Sequence, residues 1–151
     1  RVASPDFKVE LEKMSADAVL YADGRMIGQA LTNVLKNAAE GVEARRAKSP
    51  RMKGRIVTRL VVEDAAVSIE VEDNGVGLPA KDRDRLTEPY VTTREKGTGL
   101  GLAIVKRILE DHGGELELAD ARSGQGALAI LRLPATPAPR TAKPNAAVTA
   151  R

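Results

Sequence analysis

The run "RIVTRLVVEDAAVSIEVED", residues 55–73, holds two apolar stretches rich in valine and isoleucine, parted only by Asp64 and Ala65. β-Branched residues suit a pleated, half-buried backbone, and a two-residue break is the length of a tight hairpin. The run therefore reads as an antiparallel pair, "RIVTRLVVE" and "AVSIEVED". That reading decides the fold class. Strands paired by hairpins build a mixed or antiparallel sheet, whereas single strands alternating with helices build a doubly wound parallel one.

The flanking sequence follows the same logic. Upstream, "FKVELE" (7–12) alternates apolar and polar residues, and "AVLYA" (18–22) is placed to return beside it as a hairpin across "KMSAD". Asp23 then caps a helix running to about Ala47, in which Ile27, Leu31, Val34, Ala38 and Val42 recur at helical steps. Downstream, periodicity stops from Asn74 to Lys96, a loop long enough to point to function or disorder. "LGLAIVKRILEDHGG" (100–114) is a second amphipathic helix closed by Gly113, and "ELELAD" and "GALAILRLP" are two further strands ended by Pro134. The order β-β-α-β-β-loop-α-β-β predicts a two-layer α/β sandwich, with a mixed, mostly antiparallel sheet and the helices on one face. Residues 1–134 form one domain. Residues 135–151, rich in Ala and Pro, read as a disordered tail.

Composition excludes several functions. The segment from Pro134 to Arg151 carries Arg140, Lys143 and Arg151 and no acid, so the other 133 residues balance 21 basic against 21 acidic side chains. With that balance, and with two Tyr, one Phe and no Trp, the chain is no nucleic-acid binder. The absence of cysteine removes disulfides and thiolate metal sites. No apolar run approaches the roughly 20 residues of a membrane span, so no membrane contact is expected of this domain. The chain opens on Arg1 and reads as a piece of a longer protein.

Four stretches carry residues suited to chemistry. In "LTNVLKNAAEGV" (31–42), Gln29, Asn33 and Asn37 form a row along the border of the apolar stripe. Such carboxamides either line a solvated edge or point oxygens into a pocket where Mg²⁺, sharing substrate phosphates, needs one or two protein ligands. In "VEDNGVGL" (71–78), Gly75 and Gly77 let the backbone approach a flat ligand, and Asp73 can accept a hydrogen bond from an amino group. "GTGLGL" (97–102) opens a helix, where backbone N–H groups suit phosphate, but its spacing fits neither a Rossmann site nor a P-loop. "SGQGA" (123–127) alone reads as a turn before the last strand.

In this order and on these elements, the four stretches resemble the Bergerat ATP-binding fold shared by DNA gyrases, heat-shock chaperone ATPases, mismatch-repair MutL proteins and histidine kinases. "NVLKNAAEG" resembles the N box, and "DNGVG", "GTGLGLAIVKRI" and "GQG" the three glycine boxes, over roughly residues 7–133. "TEPYVTTREKGTGLGLAIVKRILEDHGG" is particularly similar to sensor histidine kinases of nitrogen regulation, the NtrY type before the NtrB type.

The resemblance implies a site, residue by residue. Asn37 would coordinate Mg²⁺ on the phosphates of ATP, with Asn33 beside it; Asp73 would accept the adenine amino group, with Gly75 and Gly77 against the ring. Gly97, Thr98, Gly99, Leu100, Gly101 and Leu102 would turn backbone N–H groups to the phosphates. Residues 78–96 would be a long ATP lid, with Arg94 and Lys96 as candidates for the γ-phosphate. The chemistry implied is transfer of that phosphate to a histidine on a separate dimerisation domain, then to an aspartate of an NtrX-like response regulator. The domain would be cytoplasmic, in a protein anchored in the inner membrane. A serine kinase of the anti-sigma-factor type and a nucleotide-dependent interaction module are the alternatives.

Three positions depart from the family pattern. Thr87 stands where a lid phenylalanine is usual, which removes an apolar anchor; Arg94 replaces a common Lys, and Ala127 a common Thr. The family's first helix would lie upstream of Arg1. His112, the sole histidine, closes a helix and is expected to satisfy helix carbonyls rather than accept phosphate.

Overall fold

The computed structural model describes residues 7–13, 18–21, 24–63, 65–89, 101–134 and 147–150, and for 7–13, 18–21 and 147–150 the backbone alone. Its strands are β1 (Phe7–Lys13), β2 (Ala18–Tyr21), β3 (Gly54–Val62), β4 (Ala66–Asp73), β5 (Glu115–Asp120), β6 (Ala127–Pro134) and β7 (Ala147–Ala150). The helices are α1 (Gly24–Lys48) and α2 (Gly101–Asp111), with a 3-10 turn over Arg83–Thr87.

A five-stranded sheet in the order β1-β3-β4-β6-β5 forms one layer. The β3–β4 hairpin is as expected, its ends joined by the Glu63 N–H donating to the Ala66 carbonyl at 2.8 Å. β4 pairs antiparallel with β6, and β6 with β5. α2 thereby belongs to the part of the chain that leaves the end of β4 and returns through β5.

Two expectations are corrected. β1 does not pair with β2: it lies parallel to β3, from Phe7 opposite Gly54 to Lys13 opposite Leu60. β3 offers β1 seven partners where β2, four residues long, could offer only a short ladder, and α1 supplies the crossover that a parallel pair requires. β2 instead pairs antiparallel with β7, so the segment read as a disordered tail contains a strand over Ala147–Ala150. Val148 and Thr149 are β-branched, and a free edge at β2 is sufficient template for four residues.

Both helices pack on one face of the sheet. α1 buries Ile27, Ala30, Val34, Ala38 and Val42, and α2 buries Val105, Ile108 and Leu109 against them and against Val67, Val71 and Leu131. Arg45, Arg46 and Lys48 in the last turn of α1 complement its dipole. α2 ends at Gly113, whose φ of 75° suits glycine, with the Gly114 N–H returning to the Leu109 carbonyl at 2.7 Å. His112 Nδ1 meets the Ile108 carbonyl at 2.7 Å, the helix-closing contact expected of it. No helix among the described residues is long and apolar enough to cross a membrane.

Leu131 is wholly buried where both helices meet the sheet. Leu131→Ala is expected to lower the unfolding free energy by about 2–5 kcal/mol in urea denaturation. Arg107→Ala, which removes an exposed pair with Asp111, should stay within about 0.5 kcal/mol of the parent.

Candidate functional site

The register that pairs Glu72 with Leu128 sets Asp73, the last residue of β4, beside Ala127, the first of β6. Asp73 is buried, and its Oδ1 accepts the Gly75 N–H at 2.8 Å and the Ala127 N–H at 3.3 Å. One carboxylate oxygen thus ties the turn after β4 to the turn before β6.

Glycine is obligatory in both turns. A Cβ on Gly75 would lie 2.3 Å from the Gly41 carbonyl carbon of α1, and one on Gly126, at φ +123°, would lie 1.9 Å from the Asp73 carbonyl oxygen. The backbone of each turn is pressed onto its neighbour. The Val76 N–H donates to the Gly41 carbonyl at 3.1 Å, Arg45 Nη1 to the Asn74 carbonyl at 2.6 Å, and Gln125 Nε2 to the carbonyls of Gly75 and Val76 at 2.9 and 3.2 Å. Asn74 secures the same loop to β3: its Oδ1 accepts the Arg55 N–H and its Nδ2 donates to the Lys53 carbonyl, both at 2.8 Å.

A cleft, partly open to solvent, lies between α1, the sheet and the segment after Gly77. Asp73, Gly77 and Asn37 line it together, against apolar walls from Val34, Val71, Leu86, Leu102 and Leu118. Leu86 is buried and lines the cleft beside Thr87, the position where an apolar anchor was expected to be missing. Arg83 fastens this segment, its Nε donating to the Pro79 carbonyl and its Nη2 to Asp120 Oδ1 of β5, both at 2.8 Å.

The row on α1 divides. Gln29 is exposed, Asn37 faces the cleft, and Asn33 Nδ2 donates to the Gly101 carbonyl at a long 3.4 Å, tying the start of α2 to α1. Asn37 Oδ1 lies 4.0 Å from where a Gly101 Cβ would stand. The structure thus gathers Asn37, Asp73, Gly77 and Leu102 on one cleft, with Gly75, Asn33 and Gly101 at its margins. Arg94, Lys96, Gly97, Thr98, Gly99 and Leu100 lie outside the described residues. Arg45 was not singled out by sequence reading, and Gly41, Asn74, Gln125 and Gly126 were read only as members of their motifs, with no role of their own. Gly41 inside a helix was a readable signal, because glycine there disfavours helix unless something must come close.

The arrangement suits one ligand chemistry. Apolar walls accept a flat ring, the Asp73 carboxylate accepts a hydrogen bond from an amino group at its edge, and a carboxamide oxygen stands further along α1. No group of three or more His, Cys, Asp or Glu side chains that could hold a metal occurs among the described residues. The carboxamide oxygen of Asn37 on this cleft could serve a cation.

Residues 22–137 match the family described as histidine kinase-, DNA gyrase B- and HSP90-like ATPases. The chain belongs to that family. Within it, the ATPase domain is 31% identical to the catalytic domain of the histidine kinase ThkA, with a TM-score of 0.72 over 87% of this chain and 82% of that one. It is 30% identical to a mycobacterial sensor histidine kinase, MprB, with a TM-score of 0.70 over 87% and 84%. Its sequence is 50% identical over 139 residues to the nitrogen regulation protein NtrY of Azorhizobium caulinodans, covering 89% of this chain and 17% of that protein. The ATPase domain is therefore a sensor histidine kinase catalytic domain of NtrY-like sequence, and it spans about a fifth of the curated relatives it matches.

The glycine contacts yield a paired expectation. Gly75→Ala drives a methyl into α1 backbone and should destabilise the ATPase domain by about 1–3 kcal/mol. Gly28→Ala, on the exposed side of α1 with open space at its Cβ, should stabilise it by about 0.5–1 kcal/mol. Thermal unfolding of the two variants reads both signs.

Proposed function

We propose that this domain binds ATP with Mg²⁺ and presents the γ-phosphate to a histidine on a separate dimerisation domain, from which a response regulator aspartate takes it. The observation that carries the reading is the shared cleft of Asp73, Gly77 and Asn37. Two backbone N–H groups hold Oδ1 of Asp73, so the carboxylate is fixed when the adenine amino group arrives, and little ordering remains to be done on binding. The Asn37 oxygen would hold Mg²⁺, which when bound neutralises phosphate charge. Backbone N–H groups of Gly97, Thr98, Gly99, Leu100, Gly101 and Leu102 would receive the phosphates, and Arg94 or Lys96 the γ-phosphate.

The reaction asks little covalent chemistry of the domain. An imidazole nitrogen forms a bond to the γ-phosphorus, the bond from that phosphorus to the β,γ-bridging oxygen breaks, ADP leaves and the imidazole proton passes to solvent. Positioning and charge neutralisation dominate such transfers. Asn33 supports transfer over hydrolysis: a carboxamide takes no proton at neutral pH, so it cannot activate water as a carboxylate would. Its Nδ2 is moreover turned to the Gly101 carbonyl, a donation no carboxylate can make. The likeness to NtrY supports nitrogen regulation as the pathway, an NtrX-like regulator as the recipient, and a cytoplasmic domain of an inner-membrane protein.

Incubation with γ-labelled ATP, Mg²⁺ and a separately prepared histidine-containing dimerisation domain tests the reaction. Acid-labile label on histidine is expected; label on serine, or none, overturns the reading. In calorimetry, Asp73→Ala should weaken ATP binding about ten- to a hundredfold, the worth of a charge-assisted hydrogen bond. Asn37→Ala should abolish the dependence of ATP affinity on Mg²⁺; a dependence that survives places the metal ligand elsewhere.

A further inference from the structure

Strand alternation turns Arg59 of β3 and Glu70 and Glu72 of β4 to the sheet face opposite the helices. There the two glutamates are 8% and 7% exposed, unusually buried for carboxylates. Arg59 Nη1 donates to Glu72 Oε1 at 2.7 Å. Arg122, from the turn between β5 and β6, grips Glu70 with both arms, Nη1 to Oε1 at 2.7 Å and Nη2 to Oε2 at 3.0 Å. The remaining oxygen, Glu72 Oε2, accepts the backbone N–H groups of Arg122 at 2.5 Å and Ser123 at 3.4 Å.

All four carboxylate oxygens are thus engaged, and three of them hold the turn that starts at Arg122. That turn ends in the cleft. Gln125 donates to the carbonyls of Gly75 and Val76, Gly126 is pressed onto the Asp73 carbonyl, and the Ala127 N–H donates to Asp73 Oδ1. Gly77, whose Cβ would stand 3.2 Å from the Gly126 carbonyl oxygen, rests on the same turn.

We infer that Glu72 and Arg122 are positioning residues for the nucleotide base: acting across the sheet through the 122–126 turn, they set where the Asp73 carboxylate and the Gly77 backbone stand. The inference rests on the reading of Asp73 as the adenine acceptor. Glu70 is held below the ordinary glutamate value of 4.5 first by its bond from Arg122. Burial pushes Glu72 up, but the bonds from Arg59, Arg122 and Ser123 outweigh it and leave this carboxyl lowered as well. Both pKa values are depressed in the folded state, so the stability they contribute is complete above about pH 4.5 and is lost as the pH falls through the lowered values. At neutral pH the clamp is fully charged.

The test separates the base from the phosphates. ATP and inorganic tripolyphosphate, each with Mg²⁺, are titrated calorimetrically into the parent domain and into Glu72→Ala, Glu72→Gln, Arg122→Lys, Arg107→Ala and Asp73→Ala. Glu72→Ala and Arg122→Lys should lose about five- to tenfold in ATP affinity, the worth of one hydrogen bond, with tripolyphosphate unchanged. Glu72→Gln keeps an acceptor for the two N–H groups and should recover most of the loss. Arg107→Ala, whose exposed pair with Asp111 takes no part in the turn, should bind both ligands like the parent. Equal losses for both ligands mean a merely structural role and overturn the inference, as does ATP affinity within about twofold of the parent. Should Glu72→Ala fail to fold, Glu72→Gln and Arg122→Lys are compared instead, and parent-like affinity in Arg122→Lys overturns the inference. If Asp73→Ala itself leaves ATP affinity unchanged, the reading of the site fails; if it weakens ATP binding while the clamp variants do not, the clamp alone fails.

Discussion

The antiparallel register of β4 against β6 is the constraint on which the rest of the structure depends. With Glu72 opposite Leu128, the chain must leave β4 at Asp73 beside the point where it enters β6 at Ala127. The first and third glycine turns, about fifty residues apart in sequence, are then forced together, and one carboxylate oxygen serves backbone donors of both. A slip of one residue would turn Asp73 to the opposite face of the sheet and bring Glu72 into its place. The same register fixes how the intervening segment departs and returns, and therefore where α2 lies against α1.

Close backbone approach is the second consequence. Gly75 on Gly41 and Gly126 on Asp73 leave no room for any side chain, so two turns and a helix meet without intervening atoms. The cleft inherits its shape from these contacts. Polar groups released by such irregular backbone are satisfied by Arg45, Asn74 and Gln125, as buried peptide groups require. The two asparagines of α1 also find distinct tasks: Asn37 faces the cleft, and Asn33 ties the first residue of α2 to α1. A helix with so continuous a buried stripe tolerates both, because packing rather than propensity stabilises it.

Local pattern made part of this legible in sequence. The β3–β4 hairpin follows from two β-branched runs and a two-residue break, and both core helices follow from apolar spacing. Asn37 stood out as a residue type poorly suited to a helix unless used, and Asp73 through the resemblance of its stretch to a glycine box. Non-local pairing was not legible. Nothing in "FKVELE" distinguishes a hairpin partner from a parallel neighbour reached through α1, and β7 lies in a segment whose alanine and proline content argues against strand. Arg45 carries no signature, and the glycine motif that holds Gln125 does not give its task, because each acts on a carbonyl brought near only by the fold. The burial of Leu86 was not legible either, because the turn over Arg83–Thr87 sets which of its side chains points inward.

One cleft, floored by Asp73 and edged by Asn37, is proposed to receive ATP with Mg²⁺. A titration followed by ¹H–¹⁵N correlation spectra of the uniformly labelled domain tests this. ATP is expected to shift the backbone amides of Gly75, Gly77 and Ala127, Mg²⁺ added with ATP to shift the side-chain amide of Asn37 further, and Glu115, on the far edge of the sheet, to stay still. Shifts confined to residues outside the cleft, or an Asn37 side chain indifferent to Mg²⁺, would contradict it.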